Sequence, residues 1–356
     1  MSAATPSARA RQLAEGVLPS LAALLIAVLV GDLLILAYGQ SPADVYALLF
    51  EGTWGNAYGL GQVLYKATTL VFTGLSVALG IRAGLFNIGA EGQLAAGGFG
   101  AAMAGLALPA GTPAIVAVPT CVAAAALAGG AVAGGPAWLK ARYGASEVIV
   151  TIMVNFITMA LLNWLIATKV NVAETLHTPE LRAGGVPRLA ALAPAFAGSA
   201  ANLVLLLAVA TAGAVGWYLF RTRAGYELRA VGLQPEAAEY GGIPVRRTWM
   251  RTLLLAGALA GLGGTNYVLG YKQYYEDGFA AGAGFLGIAV ALVGRNHPVG
   301  VVLAAVLFGT LSQGGLAVNA VVPKQMMDVL TAVVIIAVAA TVPEVRRLLR
   351  RAGGGS

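Results

Sequence analysis

The sequence places hydrogen-bonding side chains inside a segment that is otherwise apolar and rich in glycine. The ten residues GLFNIGAEGQ, Gly84 to Gln93, carry two amides and a carboxylate at Asn87, Glu91 and Gln93. Such groups either cross-link neighbouring helices by hydrogen bonds or mark a broken helix that lines a path for a polar solute. We interpret the segment as adjoining such a path, and both roles stay open for each side chain.

A second polar stripe follows in SEVIVTIMVNFIT. Glu147, Thr151, Asn155 and Thr158 recur at i, i+4, i+8 and i+11, which places them on one face of an apolar helix. A threonine in such a helix commonly bonds to a carbonyl of its own helix, whereas the amide of Asn155 needs several partners. The pattern predicts that Thr151 and Asn155 face the same path.

Two isolated amides, Asn266 and Gln313, interrupt later apolar runs. Each by itself is more typical of helix-to-helix hydrogen bonding than of a ligand contact. With them included, the residues predicted to line a substrate path are Asn87, Glu91, Gln93, Thr151, Asn155, Asn266 and Gln313.

The sequence has no pattern of residues that would support catalysis or bind a cofactor. It contains no phosphate-binding G-x-x-x-x-G-K-[ST], no H-E-x-x-H and no nucleophile elbow. Its two histidines, His177 and His297, have no ligand spacing, and its one cysteine, Cys121, lies in an apolar run. We expect no enzyme activity, metal or cofactor in this chain, so any energy source must be supplied by another protein.

The polar groups must be positioned by membrane helices. Hydrophobic residues make up 58% of the chain, charged residues only 10%, and the mean hydropathy is +0.80. The sequence therefore predicts an all-α, polytopic membrane protein, with about 20 apolar residues for each span. The ten predicted spans are 17–38, 60–81, 85–108, 112–134, 146–168, 201–220, 251–271, 284–296, 298–318 and 325–342. The short eighth span and the ninth are a possible re-entrant pair.

Charge indicates the orientation. Most of the 22 Lys and Arg residues fall on one side of this topology, which places both termini in the cytoplasm. The net charge of +7 is then an orientation signal with some attraction to anionic membrane lipid, and no nucleic-acid partner is needed to explain it. We expect cytoplasmic tails at 1–16 and 343–356, one transmembrane domain over 17–342, and an external loop at 169–200.

The long cytoplasmic loop, 221–250, contains the signals of a short helix. Pro235 suits a first helical turn, Glu236 and Glu239 favour its positive end, and Gly241 with Gly242 can stop it. The loop is either a solvated connector or a docking surface, and we expect a helix of about two turns beneath the membrane.

At this loop the sequence resembles a known family. Glu236-Ala237-Ala238 followed by Gly242 is similar to the EAA box of bacterial ABC importer permeases, the helix that sits in a groove of the ATPase subunit. With GLFNIGAEGQLAAGG, SEVIVTIMVNF and GIAVALVGRNHPVG, it resembles the permeases for simple sugars, nucleosides and branched-chain amino acids, most of all the nucleoside and simple-sugar branch. The resemblance runs from about the second span to the tenth, although the Ile-x-Leu-Pro half of the box is missing.

The resemblance implies a subunit that moves a nucleoside or simple sugar across the bacterial cytoplasmic membrane by alternating access. Its implied partners are ABC ATPase subunits that bind ATP and Mg, a second and different permease chain, and an external binding protein or lipoprotein. Coupling to the ATPase would use Pro235, Glu236, Ala237, Ala238 and Gly242. The alternative is a secondary transporter driven by ions, in which Asp32 or Glu91 would be the coupling acid.

Overall fold

The computed structural model describes residues 25–26, 28–323 and 325–337, and within these ranges the chain is helical with no β-strand. We number the helices in chain order. They are α1 Val28–Ala37, α2 Pro42–Thr53, α3 Ala57–Arg82, α4 Ala90–Ala107, α5 Ala114–Tyr143, α6 Glu147–Leu165, α7 Val204–Arg221, α8 Arg223–Leu233, α9 Pro235–Tyr240, α10 Val245–Tyr267, α11 Ala283–Val293, α12 Pro298–Ala317 and α13 Gln325–Ala337. Single π-helical turns, Ile166–Val170 and Val268–Lys272, extend α6 and α10.

The prediction of an all-α protein is confirmed, but the count of ten spans is not. Six helices in the described ranges are long and apolar enough to cross a membrane, or up to seven if α1 and α2 form one bent span. α11, at 11 residues, is too short to cross alone, while α12 has 20. The predicted cytoplasmic tails lie outside the described residues, so the orientation stays a prediction.

Several helix boundaries differ from the predicted ones for local reasons. The predicted span 85–108 begins only at Ala90, because residues 83–89 turn back from α3 with Gly84 at φ +73°. α10 begins at Val245 rather than at residue 251. The prediction was based on apolarity and so left out the first turns, which contain three arginines, but arginine is compatible with a helix. α5 runs 30 residues to Tyr143 and ends at Gly144, which has the left-handed conformation typical of a helix C-terminus.

The contacts divide the described residues into two compact units. The larger, Ala57–Gly309, is built around α10, which packs against α5, α4 and α3. Glycines permit this packing: a Cβ on Gly129 of α5 would lie 2.7 Å from the Cα of Gly261 of α10, and Gly97 of α4 meets the same Gly261. Close approach of helix backbones through small residues is the usual way that membrane helices associate.

The smaller unit is formed by residues up to Asn56 and from Thr310 onward. Here α1 and α2 are bent by 113° at a short break, and Pro42 begins α2. The phenol of Tyr46 donates to a carboxylate oxygen of Asp32 at 2.8 Å, which gives this acid of the first predicted span a partner. An apolar cluster holds the unit together: Ile35, Val45, Val318, Val322, Met327 and Leu330.

Candidate functional site

The break between α3 and α4, residues 83–89, is held by a network of buried amides. Asn87 donates to Ser76 Oγ at 3.2 Å and to Gln93 Oε1 at 2.8 Å, and its Oδ1 accepts from Gln93 Nε2 and from the backbone N–H of Gly89. Asn87 lies before α4, which begins at Ala90, although its spacing of four residues from Glu91 would fit one face of a helix. The side chain of Asn87 replaces backbone hydrogen bonds that the turn cannot make.

α6 supports the same break through Asn155. The Oδ1 of Asn155 accepts from the N–H of Gly92 at 2.9 Å, and its Nδ2 donates to the carbonyl of Ile88 at 2.8 Å. Asn155 is only 4% exposed, so water is largely excluded from its side chain and the two bonds satisfy its amide within the protein. Asn155 of the polar stripe thus fixes the first turn of α4 and Ile88, two residues before it.

Glu91 links the start of α4 to the start of α11. Its two carboxylate oxygens accept from the backbone N–H groups of Gly282 and Gly284, at 2.8 and 2.7 Å, and the side chain is 7% exposed. A carboxylate at a helix N-terminus satisfies N–H groups that have no partner within the helix and interacts favourably with the helix dipole. Glu91 is therefore an N-terminal cap for α11, supplied from another helix.

Asn266 and Gln313 lie on helices outside this network, α10 and α12. Asn266 of α10 donates to the carbonyl of Tyr65 and to Thr69 Oγ1, and accepts from Asn202 at 3.0 Å. Gln313 is buried on the last part of α12, in the smaller unit. Every path residue in the larger unit thus bonds to protein groups, and a role in lining a path stays a prediction for all seven.

Thr151 offers a direct test of the two roles. Its hydroxyl donates to the carbonyl of Glu147, in its own helix, at 2.7 Å. Replacing Thr151 with valine keeps the shape and removes only hydrogen bonds within α6, to the carbonyls of Glu147 and Val148. We therefore expect the free energy of unfolding to fall by less than about 1 kcal/mol. Solute uptake should stay within about twofold, a factor equal to less than about 1 kcal/mol. Thermal unfolding in detergent and uptake by cells check both; a tenfold loss of uptake at normal stability would mean that the hydroxyl contacts the solute.

An aromatic cluster, which we did not predict, surrounds the end of α10. Tyr271 packs against Tyr65 with ring centres 5.4 Å apart, and Tyr267 packs against Phe279 at 4.9 Å and donates to a carboxylate oxygen of Glu276. In the loop after α10, burial and the nearby Asp277 raise the pKa of the Tyr275 phenol. The density of aromatic residues in YVLGYKQYYEDGF, 267–279, was the available signal for this cluster.

The loop 221–250, which the sequence predicts to be cytoplasmic, folds into two short helices. The predicted two-turn helix is confirmed as α9, which begins at Pro235 and ends before Gly241, while α8 before it was not predicted. Ala238 is buried in a small apolar core with Val231 and Val245, whereas Glu236, Ala237 and Tyr240 are exposed. We call α8, α9 and residues 241–243 the handle. A groove of about 450 Å³ runs along it, lined in part by Tyr226, Gln234, Ala237, Gly242 and Ile243.

Comparison with known proteins identifies the family of this chain. Residues 59–339 match the family described as the permease component of branched-chain amino acid transport systems. The guanosine ABC transporter permease protein NupP of Bacillus subtilis is 37% identical over 329 residues, 90% of this chain and 92% of its own length. The nucleoside permease NupB of Lactococcus lactis is 34% identical over 330 residues (91% and 90%). The glucose permease TsgB13 of Haloferax volcanii is 36% identical over 325 residues (88% and 84%).

These matches cover the segments that carry the predicted resemblance, from α3 to α13. Together with several helices long and apolar enough to span a bilayer, they confirm the family prediction. The chain is an integral membrane protein that belongs to the permease family of branched-chain amino acid transport systems.

Proposed function

We propose that the chain is the transmembrane subunit of an ABC importer that moves a nucleoside across the cytoplasmic membrane. The observation that carries the proposal is the handle. α9 is fixed from behind by Ala238 and presents Glu236, Ala237 and Tyr240 to solvent, with Tyr240 95% exposed. An exposed helix on a rigid apolar base is suited to dock into another protein and to pass its movement to the bundle.

The handle suits an ATPase partner because of where it attaches. α8 and α9 lie between α7 and α10, so a push on α9 reaches α10, the helix against which α3, α4 and α5 pack. In the proposed cycle, ATP and Mg bind to the ATPase subunits, their closure moves the handle, and the bundle changes between outward and inward access. In this cycle the nucleotide is held by the ATPase subunits, in line with the missing G-x-x-x-x-G-K-[ST] pattern in this chain.

The solute class is supported by two observations. Two of the relatives are named for nucleosides and one for glucose. Tyr65, Tyr267, Tyr271 and Phe279 offer ring faces, and Glu276 a carboxylate, in one small region. Flat rings stack on aromatic faces, and ribose hydroxyls need acceptors. We therefore propose a nucleoside, with a simple sugar as the second candidate. The path would continue past the predicted residues Asn87, Glu91, Gln93 and Asn155.

The proposed assembly has further partners outside this chain. A second, different permease chain would complete the transmembrane pathway, and an external binding protein or lipoprotein would deliver the solute. The long segment 169–200 between α6 and α7 is the feature that supports docking of such a protein on the external side.

Uptake into proteoliposomes tests the proposal. The chain, its second permease and its ATPase are reconstituted, and import of labelled guanosine, uridine and glucose is measured with the binding protein. We expect ATP-dependent import of a nucleoside that is insensitive to an ionophore. Import that needs no ATP and collapses when ion gradients are dissipated would contradict the proposal and support the ion-coupled alternative.

Changing the handle should uncouple the transporter. Gly242 has φ +81°, a conformation that disfavours any other residue, and Glu236 is exposed in the first turn of α9. We expect the double change Glu236→Leu and Gly242→Val to reduce import at least about tenfold, equal to about 1.4 kcal/mol of lost coupling, while the chain still reaches the membrane. The matched control is Glu51→Leu, an exposed acid in the smaller unit. Wild-type import by the double variant would count against the handle.

A further inference from the structure

The handle touches the break between α3 and α4 directly. Gly232, near the end of α8, packs against the backbone at the end of α3, where a Cβ would lie 2.8 Å from the carbonyl carbon of Arg82 and 3.0 Å from that of Ala83. A Cβ on Gly84 would in turn lie 3.4 Å from the Cα of Gly232. The end of α8 and the break are therefore in backbone contact, so movement of one displaces the other.

A second connection runs through an ion pair that lies beside the break. Lys140, in the last turn of α5, bonds to Glu147, the first residue of α6, at 2.8 Å. The two side chains are only 18% and 13% exposed. Glu147 also accepts, through Oε1, from the backbone N–H of Phe86 at 3.4 Å. The pair therefore holds the break at Phe86, while Asn155, further along α6, binds Ile88 and Gly92.

The same lysine reaches the handle. Its ammonium group lies 5.1 Å from the ring centre of Trp249, within the range of a cation–π contact. Trp249 lies in the second turn of α10 and packs against the apolar core of the handle, which contains Val231 and Ala238. A continuous series of contacts thus joins α9 to Trp249, Lys140, Glu147 and the backbone of Phe86.

We propose that Lys140 and Glu147 are positioning residues that transmit movement of the handle to the break between α3 and α4. This inference rests on the proposed function, because it assumes that an ATPase moves α9. When α9 moves, Trp249 moves with the apolar core of the handle and displaces Lys140, with which it is in contact. Lys140 displaces Glu147 through the ion pair, and Glu147 displaces the backbone of Phe86. The break then rearranges, and with it the network of Asn87, Gln93 and Asn155.

The surroundings of Trp249 favour a second arrangement. Its indole N–H is buried and has no hydrogen-bond partner among the residues that the structure describes. A buried donor without a partner is costly. A shift of the handle that brought the indole N–H to an acceptor would remove this cost, which suits a two-state transmission.

The test measures how many solute molecules enter per ATP hydrolysed, in proteoliposomes that hold the complete transporter. We expect Lys140→Met and Glu147→Gln each to lower this ratio by at least about fivefold, the lower range of coupling between sites. The double variant should be no worse than the poorer single variant, since both break one connection. Lys140→Arg, which keeps the charge and can lie over Trp249, should restore most of the ratio.

Two comparisons separate transmission from simple loss of stability. The first is Tyr46→Phe, which removes a hydrogen bond to the carboxylate of Asp32 in the smaller unit. That bond has the same length as the Lys140–Glu147 ion pair, and its loss should leave the ratio of solute to ATP unchanged. If Lys140→Met does not accumulate, Trp249→Leu and Trp249→Phe serve instead: leucine should lower the ratio, and phenylalanine, which keeps a ring face, should largely preserve it.

The outcomes also separate this inference from the proposed function. If the wild-type complex imports no nucleoside or sugar with ATP, the proposed function fails. If the wild-type complex imports its solute and Lys140→Met, or its replacement Trp249→Leu, keeps the wild-type ratio, only the transmission by Lys140 and Glu147 is overturned.

Discussion

Replacing Gly261 with leucine is expected to abolish accumulation of the folded protein. Gly261 lies where α10 meets both α5 and α4, and a Cβ there would collide with the carbonyl oxygen of Ala125. The neighbouring atoms are backbone, so no side chain can rotate away. Overpacking a core usually costs about 1–3 kcal/mol, and four added carbons at a site without room for one should exceed that range. The amount of chain that stays monodisperse after extraction from membranes measures the effect.

The matched change is Gly213→Leu. Gly213 lies on α7 and is exposed, and a Cβ added there would meet no neighbouring segment within 4 Å, so leucine should be neutral or slightly favourable to the helix. Normal accumulation of Gly261→Leu, or equal losses in both variants, would show that the backbone contact among α4, α5 and α10 does not hold the larger unit together.

Those glycines illustrate how much of the fold could be predicted. Length and apolarity alone place α3, α6, α7 and α12 within a few residues, because a helix in lipid must satisfy its own backbone. The position of α10 at the centre of the larger unit could not be predicted. In an alanine-rich sequence, nothing distinguishes the contact glycines Gly97, Gly129 and Gly261 from other small residues. Their partnership depends on contacts between distant segments, which local pattern does not encode.

The candidate site was predictable in part for a similar reason. The energetic cost of polar groups in lipid indicated that Asn87, Glu91, Gln93 and Asn155 had to find partners, and the structure supplies those partners. The partners themselves could not be foreseen, because backbone N–H groups become available only where a helix ends. Asn87 is the clearest case: the spacing to Glu91 fits a helix, yet Gly84 turns the chain and leaves Asn87 outside it.

The handle was easier to predict than its attachment. Proline, two glutamates and two glycines are local signals, and they correctly gave the start and end of α9. The contacts that make it a handle involve Gly232 with Arg82, and Trp249 with Lys140, residues about 110 to 150 positions apart in the chain. Each of these residues has an ordinary local interpretation, so only the fold reveals their connection.

Replacing Glu91 with alanine is expected to destabilise the protein strongly. The carboxylate accepts from the N–H groups of Gly282 and Gly284 in a buried position, so alanine leaves two donors without partners. Each buried donor left unpaired costs about 1–3 kcal/mol, so we expect the two to lower the free energy of unfolding by about 2–6 kcal/mol. Glu91→Gln keeps one acceptor oxygen and should lose about half as much. Thermal unfolding of the purified chain in detergent ranks the three proteins.

Comparison with Glu236→Ala tests whether the loss of stability in Glu91→Ala comes from the burial of that carboxylate. Glu236 is an exposed acid in the first turn of α9, and its removal should change the free energy of unfolding by no more than about 0.5 kcal/mol. An equal effect of the two changes would argue against the cap that Glu91 provides to α11. If Glu91→Ala instead unfolds normally but loses transport, Glu91 acts on the solute path and its bonds to α11 contribute little. The two acids that the sequence placed in separate roles, one in the path and one in coupling, would then both be functional rather than structural.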